Sequence, residues 1–243
     1  MDTNIIRVIS EELYDQIHSD LLTPSNDEEL FFLLRAFEYV NAVTMMGPTM
    51  VEKYGRIKKR LSEMLHATYM SQRIKSGASD VSPQMRGLCS RFILANQIDG
   101  YEDIAFFLLN DKSEFVRQHI CETLYHYPIP STVPQLIQIA QNDASPNVRA
   151  KASYALAKGE PIKVIPILLS IYESDKDVAE NSVIDSPSSH AAGALDELMK
   201  TNWMSVRNDK GIASLRPGGS DGARLKEHAE RYLSRLKHER AEE

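Results

Sequence analysis

The chain has 243 residues, 42% hydrophobic and 26% charged, with a formal net charge of −6. That is the balance of a folded globular chain, not of a disordered or fibrous one. No apolar run reaches the length of about 18 residues that a transmembrane helix needs, and the opening MDTNIIRVISEELYDQ carries acids where a signal peptide needs a basic start.

Apolar residues recur at three and four along nearly the whole chain, and β-branched alternation is scarce, so the expected class is all-α. A first helix is expected from Asn4 to Leu22. TPSNDEEL breaks it, with Ser25 and Glu28 at capping-box spacing. The next helix, EELFFLLRAFEYVNAVTMM, is apolar almost all round and reads as the central buried helix of this region. Thr49 and Glu52 form a second capping-box pattern at the head of a helix from about Met50 to Ile74. Residues 1–79 are thus expected to be an N-terminal helical region.

From Asp80 the chain repeats itself. DVSPQMR (80–86), DKSEFVR (111–117) and DASPNVR (143–149) share an Asp, a Ser two residues later and an Arg six residues later. After each Arg, small or apolar residues follow at three, six and seven: Cys89, Phe92 and Ile93, then Ile120, Thr123 and Leu124, then Ala152, Ala155 and Leu156. A turn and a second helix complete each unit, with Pro134 and Pro166 expected at the start of that second helix. Each unit is a helical hairpin that cannot bury both faces alone and must stack on its neighbour. Ser82, Ser113 and Ser145 suit helix N-caps. Asp80, Asp111 and Asp143 fall in the loops, and Arg86, Arg117 and Arg149 fall in the first helical turns. A loop carboxylate there can accept backbone amides and meet a guanidinium of its own or an adjacent unit, which fixes stacking register. These six charges are expected to be architectural.

This pattern resembles HEAT repeats, on Asp80, Arg86, Asp111, Val116, Arg117, Asp143, Val148, Arg149, Ala152, Ala155 and Leu156, with Pro134 and Pro166 in the other helix. The resemblance spans about residues 80–177 and implies an α-α superhelix, a short solenoid over residues 80–200, used as a non-enzymatic protein-binding scaffold or adaptor. In HEAT arrays the second helix of each hairpin lines the concave surface, and by that order the helix after each Asp-to-Arg loop does so here. Repeat offsets then align Leu88, His119, Lys151 and His190 in one stripe and Arg91, Glu122 and Tyr154 in the next, with Gln118, Tyr125 and His126 near them. The expected partner-binding residues are Arg91, Gln118, His119, Glu122, Tyr125, Lys151, Tyr154 and His190. Mixed charge and aromatic character suits protein recognition. Two other activities of HEAT-like families stand as alternatives: bilin attachment and nucleic-acid repair.

The fourth unit starts at Asp175 and then departs. VAENSVIDSPSS intervenes, and aligning Ala191, Ala194 and Leu195 with Ala152, Ala155 and Leu156 needs about seven extra residues. A cap at Ser186–Pro187 would shift that helix by two. Trp203 and RPGGSDG follow, then ARLKEHAERYLSRLKHERAEE, an amphipathic helix with Leu225, Ala229, Tyr232, Leu233 and Leu236 on one stripe. Within residues 201–243 this helix can dock on the solenoid end, bind a partner, or pair with a second copy.

Residues 80–200 hold 10 basic and 16 acidic residues, which argues against phosphate-backbone binding. No phosphate loop, nucleophile elbow or His-Glu-x-x-His pattern occurs, and the seven histidines are scattered. No catalytic residue, cofactor or metal is expected. Cys89 and Cys121 read as buried free thiols of a cytoplasmic protein.

Overall fold

In the computed structural model, the described residues are 27–44, 47–65, 68–174, 186–201 and 221–241. Among these described residues there are eleven α-helices and two 3-10 turns, and no strand. The expected helix at Asn4–Leu22, Ser25, Trp203 and most of the intervening segment after Asp175 lie outside these residues, as do the side chains of Glu28 and Met50.

The chain divides into two compact units, Met1–Tyr101 and Glu102–Glu243. In the first unit, α1 (Asp27–Thr44), α2 (Pro48–Leu65), α3 (Thr68–Gly77) and α4 (Pro83–Ala95) pack around one apolar core. Leu30, Leu33, Leu34, Phe37 and Val40 of α1 are buried, and α1 touches both α2 and α4. Phe37 meets Phe92 of α4 edge to face, with ring centres 4.9 Å apart. Gly77 is required by close approach: a Cβ there would lie 2.4 Å from Cys89 Sγ, so α3 packs against α4 through a missing side chain. The division does not fall at residue 80, because α4 packs on α1 and α3. The helix expected from Met50 to Ile74 is described over Pro48–Leu65 and Thr68–Gly77. Its start is at Pro48, whose ring suits a first helical position. Thr49 therefore lies inside the helix and cannot cap it, and the Gly47 carbonyl accepts from the Val51 amide at 3.2 Å.

The second unit holds all of α5 (Tyr101–Leu109) except its first residue, then α6 (Glu114–His126), α7 (Val133–Asn142), α8 (Pro146–Ala155), α9 (Pro161–Ser174), α10 (Pro187–Met199) and α11 (Gly222–Ala241). Helices α6, α8 and α10 pack side by side as one layer. Helix α7 packs on α8, and α9 packs on α10, as a second layer. The positions three, six and seven after Arg117 and Arg149 are all buried between the layers: Ile120, Thr123, Leu124, Ala152, Ala155 and Leu156. Val116 and Val148, just before each Arg, are buried too. This is a solenoid of helical hairpins stacked through a continuous core.

Pro166 is not at a helix start. Helix α9 begins at Pro161, and Pro166 sits inside it on the exposed side, where its missing N–H forfeits one backbone bond. Gly159 makes the tight turn before α9: a Cβ there would meet Val164 at 2.7 Å and the Leu156 carbonyl at 3.2 Å.

Helix α11 closes the far end, packing on α9 and α10. Leu225 and Ala229 are buried, and Tyr232, Leu233 and Leu236 are half-buried. Lys226 pairs with Glu173 near one end, and Arg240 pairs with Glu160 at 3.0 Å near the other. The helix therefore runs antiparallel along α9. Its apolar stripe is used within the chain.

Candidate partner-binding face

The three Asp-to-Arg loops share one geometry. Each Asp carboxylate accepts the backbone amide of the Ser two residues on: Asp80 from Ser82 at 2.7 Å, Asp111 from Ser113 at 2.8 Å, Asp143 from Ser145 at 2.9 Å. Each Arg then donates Nη1 back to the carbonyl of that same Asp, at 2.7, 2.8 and 2.8 Å for Arg86, Arg117 and Arg149. The arginine of a unit thus grips its own loop through a backbone carbonyl and not through the carboxylate. Every Ser is at the N-cap, but only Ser82 uses its hydroxyl, accepting from the Met85 amide at 3.4 Å. The Asp has taken over the ordering of the turn.

At one of these loops the carboxylate is also met by the arginine of the unit before it. Arg117 donates Nε to Asp143 Oδ2 at 2.7 Å and Nη2 to Oδ1 at 2.9 Å, across 26 residues. The fork is bidentate, which sets orientation as well as attraction. Its side chains are 16% and 7% exposed. Burial raises the Asp143 carboxyl pKa, but the Arg117 fork and the Ser145 amide outweigh it, so the group ends below its ordinary value. The hydrogen bond to Asp143 raises Arg117 in turn.

The outward side of α6, α8 and α10 carries different chemistry. Tyr125 and Tyr154 stack with ring centres 4.2 Å apart, and the Tyr154 hydroxyl donates to that of Tyr125 at 3.1 Å. The Tyr125 hydroxyl donates to Glu197 at 2.9 Å. Lys158 pairs with Glu197 and stands 4.5 Å from the Tyr125 ring centre. His190 packs edge-on against Tyr154 at 5.9 Å. Tyr125 on α6 and Glu197 on α10 therefore meet over α8. Packed helices stand about 8–10 Å apart, so the two flanking helices are bridged only because side chains lean inward over the middle one. Burial, followed by the bonds to Tyr154 and Glu197, drives the Tyr125 hydroxyl pKa well above that of an ordinary tyrosine.

The sequence grouping is thus partly reassembled. Tyr154 touches both Tyr125 and His190. Gln118 and Glu122 lie on α6 and Lys151 on α8; all three are half-buried. Among the described residues none of them has a side-chain hydrogen bond or ion pair. His119 stacks with the half-exposed Phe115, ring centres 5.9 Å apart. Arg91 belongs to the first unit. It is buried there and pairs with Glu38 at 3.0 Å, so it is not an outward contact. Lys158 and Glu197 were missed. Lys158 falls in the 3-10 turn after α8, past the last repeat offset considered, and Glu197 sits in the helix of uncertain register.

That register is set by Ser186. It is the N-cap of α10, its hydroxyl accepts from the Ser189 amide at 3.1 Å, and its carbonyl accepts from the His190 amide as that of Ser145 does from Arg149. Counted from the cap, His190 occupies the place of the ladder arginine and not that of Lys151. The imidazole is too short to reach back six residues, and its Nδ1 lies 3.1 Å from the Ser186 carbonyl instead.

Among the described residues no group of His, Cys, Asp or Glu is placed to hold a metal ion, and no helix is long and apolar enough to cross a membrane. Both cysteines are free and buried; burial drives the Cys121 thiol pKa far up, which makes it inert at neutral pH. Compared with known families, residues 104–186 match the family described as HEAT repeats, about a third of the chain. Comparison with curated proteins and with solved structures gave no match.

Proposed function

We propose, for a chain that carries HEAT repeats across residues 104–186, that it is a non-enzymatic protein-binding scaffold whose recognition face is the outward strip of α6, α8 and α10. The observation that carries this reading is the split in that strip. At one end Tyr125, Tyr154, Lys158 and Glu197 satisfy one another. At the other, Gln118, Glu122 and Lys151 present an amide, a carboxylate and an ammonium that nothing among the described residues engages. Half-buried polar ends beside an aromatic shelf suit a protein partner: the rings supply area and the polar groups supply specificity. The acidic balance of residues 80–200 weighs against a nucleic acid. The two buried free thiols fit a reducing compartment such as the cytoplasm.

The test compares three immobilised proteins in extracts of the native host. One is wild type, one is Gln118→Ala/Glu122→Ala/Lys151→Ala, and one is Gln141→Ala/Ser170→Ala, at exposed positions of the second layer. Proteins retained by the first and third but lost by the second are the expected result. Identical sets on all three would sink the reading.

A further inference from the structure

The hairpin ladder offers one guanidinium edge that the chain's described residues do not use. Arg117 and Arg149 are held alike. Each is in the first turn of its helix, and each donates Nη1 to the carbonyl of the Asp six residues earlier, at 2.8 Å in both. Arg149 adds a longer contact to the Ala144 carbonyl at 3.4 Å. With Nη1 fixed, the planar guanidinium turns its other edge, Nε and Nη2, away from its own loop. On Arg117 that edge takes the Asp143 carboxylate through two parallel bonds. On Arg149, only partly exposed, the same edge has no partner among the described residues.

The sequence gives the reason. In the regular units the ladder Asp stands two residues before the cap Ser, so the amide that orders the carboxylate belongs to the next helix. The next cap is Ser186, and two residues before it stands Ile184, whose side chain has no acceptor. The periodic acid, Asp175, is 26 residues after Arg149, as Asp143 is after Arg117, but eleven residues before the cap. The tight link that presents the carboxylate to the fork is absent there.

We propose that Arg149 is a carboxylate-binding site, an oriented fork that takes an aspartate or glutamate side chain of the partner in the way Arg117 takes Asp143. That the acid comes from a partner rests on the scaffold reading above; the fork's affinity for a carboxylate does not. The geometry is prepaid, because the two carbonyl contacts hold the guanidinium plane before any ligand arrives, and a bidentate charge-assisted pair is among the stronger polar contacts.

The test uses the full chain with its arginine Nε–H resonances observed by NMR, the Arg149 signal being assigned by its loss in Arg149→Gln. N-acetyl-aspartate N-methylamide is titrated, with N-acetyl-asparagine N-methylamide, which has no carboxylate, as the uncharged control. The expected result is a saturable shift of the Arg149 signal with the acid and none with the amide, while the Arg117 signal stays where it is. An Arg149 signal that ignores the acid overturns the proposal. So does one that moves in the ligand-free protein on Asp175→Asn, Asp177→Asn, Glu180→Gln or Asp185→Asn, since the chain's own acid would then occupy the fork. Neither outcome depends on whether Gln118, Glu122 and Lys151 bind a partner.

Discussion

The loops that join the hairpins and the outward strip of α6, α8 and α10 both carry polar side chains, but they use them in opposite ways. In the loops almost every polar end of the ladder is consumed. Asp143 accepts from Ser145 and Arg117, and Arg117 also holds the Asp111 carbonyl. In the strip, the shelf around Tyr125 is consumed while Gln118, Glu122 and Lys151 are not. Polar groups whose bonds close within the chain fix the stacking of hairpins. Groups left half-buried and open add little to stability and are available to something else.

This contrast can be broken most forcefully at Arg117. Replacing it by Ala leaves the Asp143 carboxylate partly buried without its counter-charge, and should cost about 3 kcal/mol in chemical denaturation. A loss under half that would mean the ladder is ornamental. The same pair should show in the pH dependence. The folded pKa of Asp143 is depressed, so its contribution is present above the unfolded value of about 3.9 and is lost as pH falls through the lower folded value. The stability gap between wild type and Asp143→Asn should therefore narrow below about pH 4 and be constant above about pH 5. A gap that widens in acid would reverse the assignment.

A smaller effect is expected at the shelf. Tyr125→Phe removes one donor and one acceptor while keeping the stack, and should cost about 1 kcal/mol. Ultraviolet titration of the wild type should show Tyr125 and the buried Tyr172 ionising well above the usual tyrosine value of about 10, and the variant should show one such group fewer. The smallest effect belongs to the open end. Gln118→Ala, Glu122→Ala and Lys151→Ala should each change stability by less than about 0.5 kcal/mol, because no bond within the chain is lost.

Much of this was legible before any coordinates. The Asp, Ser and Arg spacing dictated hairpins, caps and buried positions, because each depends on local geometry repeated with a fixed period. Who pairs with whom was not legible. That Arg149 grips a carbonyl of its own loop while Asp143 is held by the preceding arginine depends on how one hairpin sits on the next. The register of α10 was open because matching Ala191, Ala194 and Leu195 to the earlier unit and matching the Ser186 cap give alignments two residues apart, and the observed cap decides for the second. Arg91 misled because its repeat offset matches Glu122 and Tyr154, whereas α4 packs with the N-terminal helices and buries it. Pro166 misled because a proline usually starts a helix, and Pro161 had already done so.

The structure also decides which variant tests the face. Tyr154 is tied into the shelf, so truncating it would confuse stability with recognition. The direct measurement pairs partner retention with the melting temperature for two proteins, Gln118→Ala/Glu122→Ala/Lys151→Ala and Arg117→Ala. The first should lose the retained partner while melting within a few degrees of wild type, and the second should melt well below wild type yet retain the partner while folded. Full retention by the first protein, or loss of retention by a folded second one, would contradict the division between a ladder that builds and a face that binds.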